Sequence, residues 1–159
     1  MRTHSHSLES KRRFKEMTSV VEKIFLKSER ATELIKITDQ VQRVVEKSKV
    51  RNGMVNVFTL HVTTGLTINE DDPQLEEDIA NFMVRAVPED DSYGHHHFFR
   101  KDGRMAVNAY SHIRASLLGP SLTIPLQDGQ PVLGSRQQIY LVELDGPQTR
   151  GFVIQVMGE

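Results

Sequence analysis

The chain has 159 residues, 20 Lys plus Arg against 21 Asp plus Glu, a net charge of -1 and no cysteine. That length allows one domain with its own core, and the balanced charge offers no basic field for nucleic acid. Without cysteine there is no disulfide, thiol nucleophile or Cys-ligated zinc. No apolar run approaches the roughly 18 residues of a membrane span, and the N-terminus has no leader-like stretch. The expectation is a cytoplasmic protein acting on neither nucleic acid nor membrane.

Residues 1 to 16 are polar and basic, with Lys11, Arg12, Arg13 and Lys15, and read as a flexible arm ahead of a single domain spanning 17–159. His4 and His6 lie in this arm and are not candidates for the site. Val20, Val21, Ile24 and Phe25 predict a strand over Thr18 to Lys27, and Leu34 to Ile37 a second. Thr38 or Asp39 is expected to cap a helix with Val41, Val44 and Val45 on one face, running to about Lys49 and stopped by Asn52-Gly53. Met54 to Val62, apolar almost throughout, predicts a central strand buried on both faces, with His61 at its end. Asp72-Pro73 starts a helix in the expected order, and Leu75, Ile79, Phe82, Met83 and Ala86 form its apolar stripe. A short helix over Tyr110 to Leu118 is closed by Gly119-Pro120. Strands over 121–126, 137–144 and 152–157 finish the chain. The sum is an α+β fold, mainly antiparallel and sandwich-like, with inserted helices.

Polar, reactive side chains are concentrated in two otherwise apolar segments, His61 to Glu70 and Ser111 to Ser121, with Tyr93-Gly-His-His-His97 between them. Three neutral imidazoles and a water make a sufficient zinc site. His61, His95 and His112 are the candidate ligands, with His96 as the substitute for His95. The competing reading makes His61 a hydrogen-bonded core histidine and the triplet a surface loop. Asp72 has a structural duty as helix cap, whereas Glu70 has none. Glu70, with Asn69 beside it, is therefore the candidate general base or metal-water contact, and Asp71 reads as a solvated turn residue. Arg114, Ser116 and Ser121 suit phosphate oxygens, and Thr63 and Thr64 could add hydroxyls to the same cavity. No Walker loop and no GxSxG elbow is present.

These segments resemble the YjbQ family, UPF0047. The likeness is carried by His61 through Glu70, Asp72 to Pro88, Tyr93 and His95, then His112, Leu117, Gly119 and Ser121, and finally Leu133-Gly134 and Gln137 to Ile139. Ser135-Arg136 departs from the Thr-Trp of many members, and the segment 98–106 departs as well. The resemblance implies a compact α+β trimer with sites near subunit boundaries and metal on His61, His95 or His96, and His112. It also implies a secondary thiamine phosphate synthase activity, joining a pyrimidine pyrophosphate to a thiazole phosphate. The chemistry is expected to use Zn or Mg and a small phosphorylated metabolite. A metal-dependent hydrolase and a non-catalytic trimeric binding protein are the alternatives.

Overall fold

The computed structural model describes residues 16–95 and 107–159; the arm before Glu16, His96, His97 and the departing segment 98–106 lie outside them. Eight strands and three helices follow in chain order: β1 (Thr18–Lys27), β2 (Glu33–Lys36), α1 (Thr38–Ser48), β3 (Gly53–Thr59), β4 (Thr64–Glu70), α2 (Pro73–Ala86), α3 (Ala109–Leu118), β5 (Ser121–Gln127), β6 (Gln130–Pro131), β7 (Gln137–Glu143) and β8 (Thr149–Gly158). They form two antiparallel sheets, one ordered β1-β8-β3-β5-β6 and the other β2-β7-β4. The α+β expectation holds.

The main core joins Val41, Val44 and Val45 of α1 to Val55 and Val57 of β3, Ile139 and Leu141 of β7, and Phe152, Ile154 and Val156 of β8. On the other face of the smaller sheet, Tyr140 and Val142 of β7 pack with Leu34, Ala80 and Ala115, bringing α2 and α3 against it. Strand β7 is therefore buried on both faces, which is why it reads Ile-Tyr-Leu-Val without alternation. That role was expected of the Met54 segment. Strand β3 is central in its sheet, but it buries only Val55, Val57 and Thr59 and leaves Met54 and Phe58 each 43% exposed.

Three local expectations are corrected. Helix α1 has Ile37 at its N-cap with no side-chain cap; Thr38 Oγ1 instead accepts from Ile139 N at 2.9 Å, tying the helix start to β7. Its end is Lys49 in the left-handed region, ahead of Asn52-Gly53, and Gly53 opens β3. In α2, Asp72 caps Gln74 N and Leu75 N as expected, but Ala80 and Met83 are the buried positions and Phe82 is exposed. Of the expected stripe, Met83 is buried and Ile79 packs half-buried beside Ala80.

Candidate functional site

Strand β3 stops at Thr59, so His61 sits in the turn 60–63 and not at a strand end. The turn is pinned from three sides: Thr59 N donates to Pro120 O at 2.9 Å, Leu60 N donates to Gly151 O at 3.0 Å, and the buried hydroxyls of Thr59 and Thr64 touch each other. Helix α3 is seated against the neighbouring strand at Gly65, where a Cβ would lie 2.6 Å from Leu118 Cβ. Leu66 N donates to Gly119 O at 3.1 Å, and Gly119 leaves the helix with φ of 87°. Between turn and helix opens a cleft of about 710 Å³, lined by Phe58, Leu60, His61, His112, Ser116 and Pro120 among others. This size suits a small organic ligand, and the wall is mostly apolar with a few polar groups.

His112 reaches two cavities. It lines this cleft and a smaller adjoining one with Tyr93 and His95. The His95 and His112 rings meet edge to face with centroids 5.0 Å apart. Burial, then the neighbouring His95, lowers the His112 pKa from its ordinary value, which favours the neutral form that binds metal. Two imidazoles at this separation can bring nitrogens to the ~3–4 Å spacing that a tetrahedral zinc requires. Among the described residues no third His, Asp or Glu joins them to make a three-ligand group.

His61 faces the cleft, but its nitrogens have neighbours. Nε2 accepts from Gly151 N at 2.9 Å, and Nδ1 lies 3.5 Å from Arg150 Nη1. Burial, followed by the Arg150 charge, lowers its pKa as well. Hence the hydrogen-bonded reading of His61 describes its position in this fold.

The remaining candidates separate. Ser116 lines the cleft, its Oγ donating to His112 O at 2.9 Å, and Thr64 lines it too. Thr63 is buried and accepts from Arg150 Nη2 at 3.1 Å; Ser121 is the exposed first residue of β5. Glu70 lies at the far end of β4, paired with Arg136 Nη1 at 2.8 Å, and Asn69 Oδ1 accepts from Glu70 N at 2.9 Å. Six residues of strand span about 20 Å, so within one chain neither Asn69 nor Glu70 comes near the cleft opened by Thr64. Asp71 pairs with Lys36 at 2.9 Å on the surface.

Arg114, a candidate for phosphate oxygens, does not line the cleft. Its guanidinium is fully buried, with Nε and Nη2 donating to Val87 O at 3.0 and 2.7 Å and Cζ over the Tyr110 ring, 4.7 Å from its centroid. That carbonyl follows the end of α2, so Arg114 ties α2 to α3. A residue two places from His112 points some 200° around the helix, as helical geometry requires.

The group that sequence reasoning missed is the buried pair Glu143 and Arg150. Arg150 Nε and Nη2 donate to the carboxylate at 2.7 and 2.6 Å. Glu143 also accepts from Ser28 Oγ at 2.8 Å, Leu144 N at 2.9 Å and Asp145 N at 2.8 Å. Burial by itself pushes the Glu143 pKa up, but Arg150 and these donors together hold it below the ordinary carboxylate range. Opposite charges seven positions apart in two apolar strands were the available signal.

Comparison with known proteins agrees over most of the chain. The UPF0047 protein of Methanothermobacter thermautotrophicus is 42% identical over 134 residues, covering 84% of this chain and 89% of that one. YugU, a UPF0047 protein of Bacillus subtilis, is 33% identical over 84% of this chain and 96% of its own. The crystal structure of a protein of unknown function from Sulfolobus solfataricus, described as YbjQ-like, superposes with a TM-score of 0.82 at 34% identity, over 91% of this chain and all of that one. The family model described as UPF0047 protein YjbQ-like matches residues 22–159, and the chain belongs to that family.

Proposed function

We propose that the cleft between the turn 60–63 and α3 is a small-metabolite site built around a divalent ion on His95 and His112, whose imidazole nitrogens suit Zn rather than Mg. The observation that carries this reading is the adjacency of two imidazoles where the two cavities meet. His61 stands on the opposite wall and would become a third ligand only by turning away from Gly151. When bound, the ion supplies Lewis-acid stabilisation of a phosphate or pyrophosphate oxygen. Ser116 and Thr64 offer hydroxyls to the ligand, and the apolar wall of Phe58, Leu60 and Pro120 accepts an uncharged ring and excludes water around it.

The activity we assign is thiamine phosphate synthase, possessed as a secondary activity: a thiazole phosphate nitrogen displaces pyrophosphate from a pyrimidine methyl pyrophosphate. Support comes from the resemblance, and from a cleft that combines an apolar wall with neutral imidazoles. The assembly we propose is a homotrimer. The outer face of the larger sheet supports this, since Val21, Phe25, Met54, Phe58, Leu60 and Val62 are exposed there and in the adjoining turn, the last at 72%. In such an assembly Glu70 and Asn69 of one subunit can serve a neighbour's cleft, which they cannot reach at home. The test is pyrophosphate release on mixing the two substrates with zinc or magnesium. Release that depends on both substrates and on His112 is expected; none above the His112→Ala background would refute the synthase assignment.

A further inference from the structure

Two hydrogen-bond donors face each other at the wall of the cleft, one on His61, which lines it, and one on Arg150 behind. Gly151 N donates to His61 Nε2, so that nitrogen holds the lone pair and the neutral ring carries its proton on Nδ1. With that tautomer, Nδ1 faces Arg150 Nη1 at 3.5 Å, donor against donor. The other guanidinium donors are engaged by Glu143 and Thr63. Among the described residues Nη1 meets only His61, although the Arg150 side chain is just 3% exposed. A buried donor without an acceptor is costly, and here the buried Arg150 Nη1 meets a second donor on the half-buried His61. Moreover, an apolar pair in place of a buried ion pair is often no less stable, so stability alone does not explain Arg150 and Glu143.

We infer that Arg150 Nη1 and His61 Nδ1 together bind one oxygen of a phosphate ester at the inner end of the cleft. This deepens the proposed function and rests on its placing the ligand in that cleft. Both groups donate and neither accepts, so the fitting partner is an oxygen that only accepts, as a phosphate oxygen does. The phosphate oxygen approaches past His61, which lines the cleft, with Arg150 directly behind. Arg150 thus takes the role that sequence reasoning placed on Arg114, and Glu143 holds the fork in position.

The test is a titration of the full chain with inorganic phosphate, with and without zinc, following the side-chain nitrogens of Arg150, Arg114 and His61 by ¹H–¹⁵N NMR. Saturable shifts of Arg150 and His61, with Arg114 unmoved, are expected. The neutral double variant Glu143→Gln/Arg150→Met should bind phosphate at least ten-fold more weakly at an unchanged melting temperature. Arg150 signals that stay still under saturating phosphate, no saturation at all, or a folded double variant with undiminished affinity would overturn the inference. Should the double variant not fold, the wild-type shifts alone decide. Because the titration also runs without metal, absence of zinc binding would end the metal reading and leave this one standing, and the converse holds.

Discussion

Arg114 and Arg150 are chemically identical, and their surroundings give them opposite duties. Arg114 satisfies a helix-end carbonyl from full burial, so Arg114→Ala leaves Val87 O without its donors and opens a cavity. We expect a loss of about 2–4 kcal/mol of stability in urea unfolding, with phosphate affinity of the folded fraction unchanged. Glu143 gives a pH signature. Its folded pKa lies below the ordinary value of 4.5, so its stabilisation is complete above that value and is lost as the pH falls through it toward the folded pKa. Urea midpoints between pH 7 and pH 3.5 should therefore decline more steeply for the wild type than for Glu143→Gln. The variant itself should be about 3–5 kcal/mol less stable at pH 7, because it strands a buried arginine charge. Identical slopes would show that Glu143 does not carry the acid sensitivity.

At the scale of elements, the site depends on how closely α3 lies on β4. Gly65→Ala places a methyl group against Leu118 Cβ, so either α3 or the strand must move. A loss of about 1–3 kcal/mol and weakened ligand binding are expected, by thermal melting and by titration. If affinity survives at full strength, the cleft does not need that close seating. Much of this layer was legible in the sequence. Asp72-Pro73 marked the start of α2, Gly119-Pro120 the end of α3, and alternation or apolar runs marked β1, β2, β5, β7 and β8. The break at Thr59 was not legible, because Met54 to Val62 keeps an unbroken strand composition. What ends β3 is a set of long-range bonds to Pro120 and Gly151, which no local pattern encodes. The same limit applies to the site. His112, Ser116 and Thr64 were found by residue type, whereas separating Glu70 from them required knowing that β4 runs away from the turn.

For the whole molecule, two sheets with α1 and a second layer of helices account for the burial, and the exposed apolar face of the larger sheet is left over. Leu60 and Phe25 cover Gly151 on that face, beside the cleft, so burying the face and shaping the site are one problem. We expect sedimentation to give three times the 18.1 kDa chain mass, and Phe58→Glu to shift it toward a single chain. A wild-type mass of one chain would remove the trimer and, with it, the shared role of Glu70.

Calorimetric titration of zinc into the tag-free, chelator-treated full chain probes the proposed divalent-ion site on His95 and His112. A His4→Ser/His6→Ser background removes binding by the arm. One ion per chain is expected, with affinity reduced at least a hundred-fold in His112→Ala and His95→Ala while Arg114→Lys leaves it unchanged. Absence of saturable binding, or binding indifferent to His112, would contradict it.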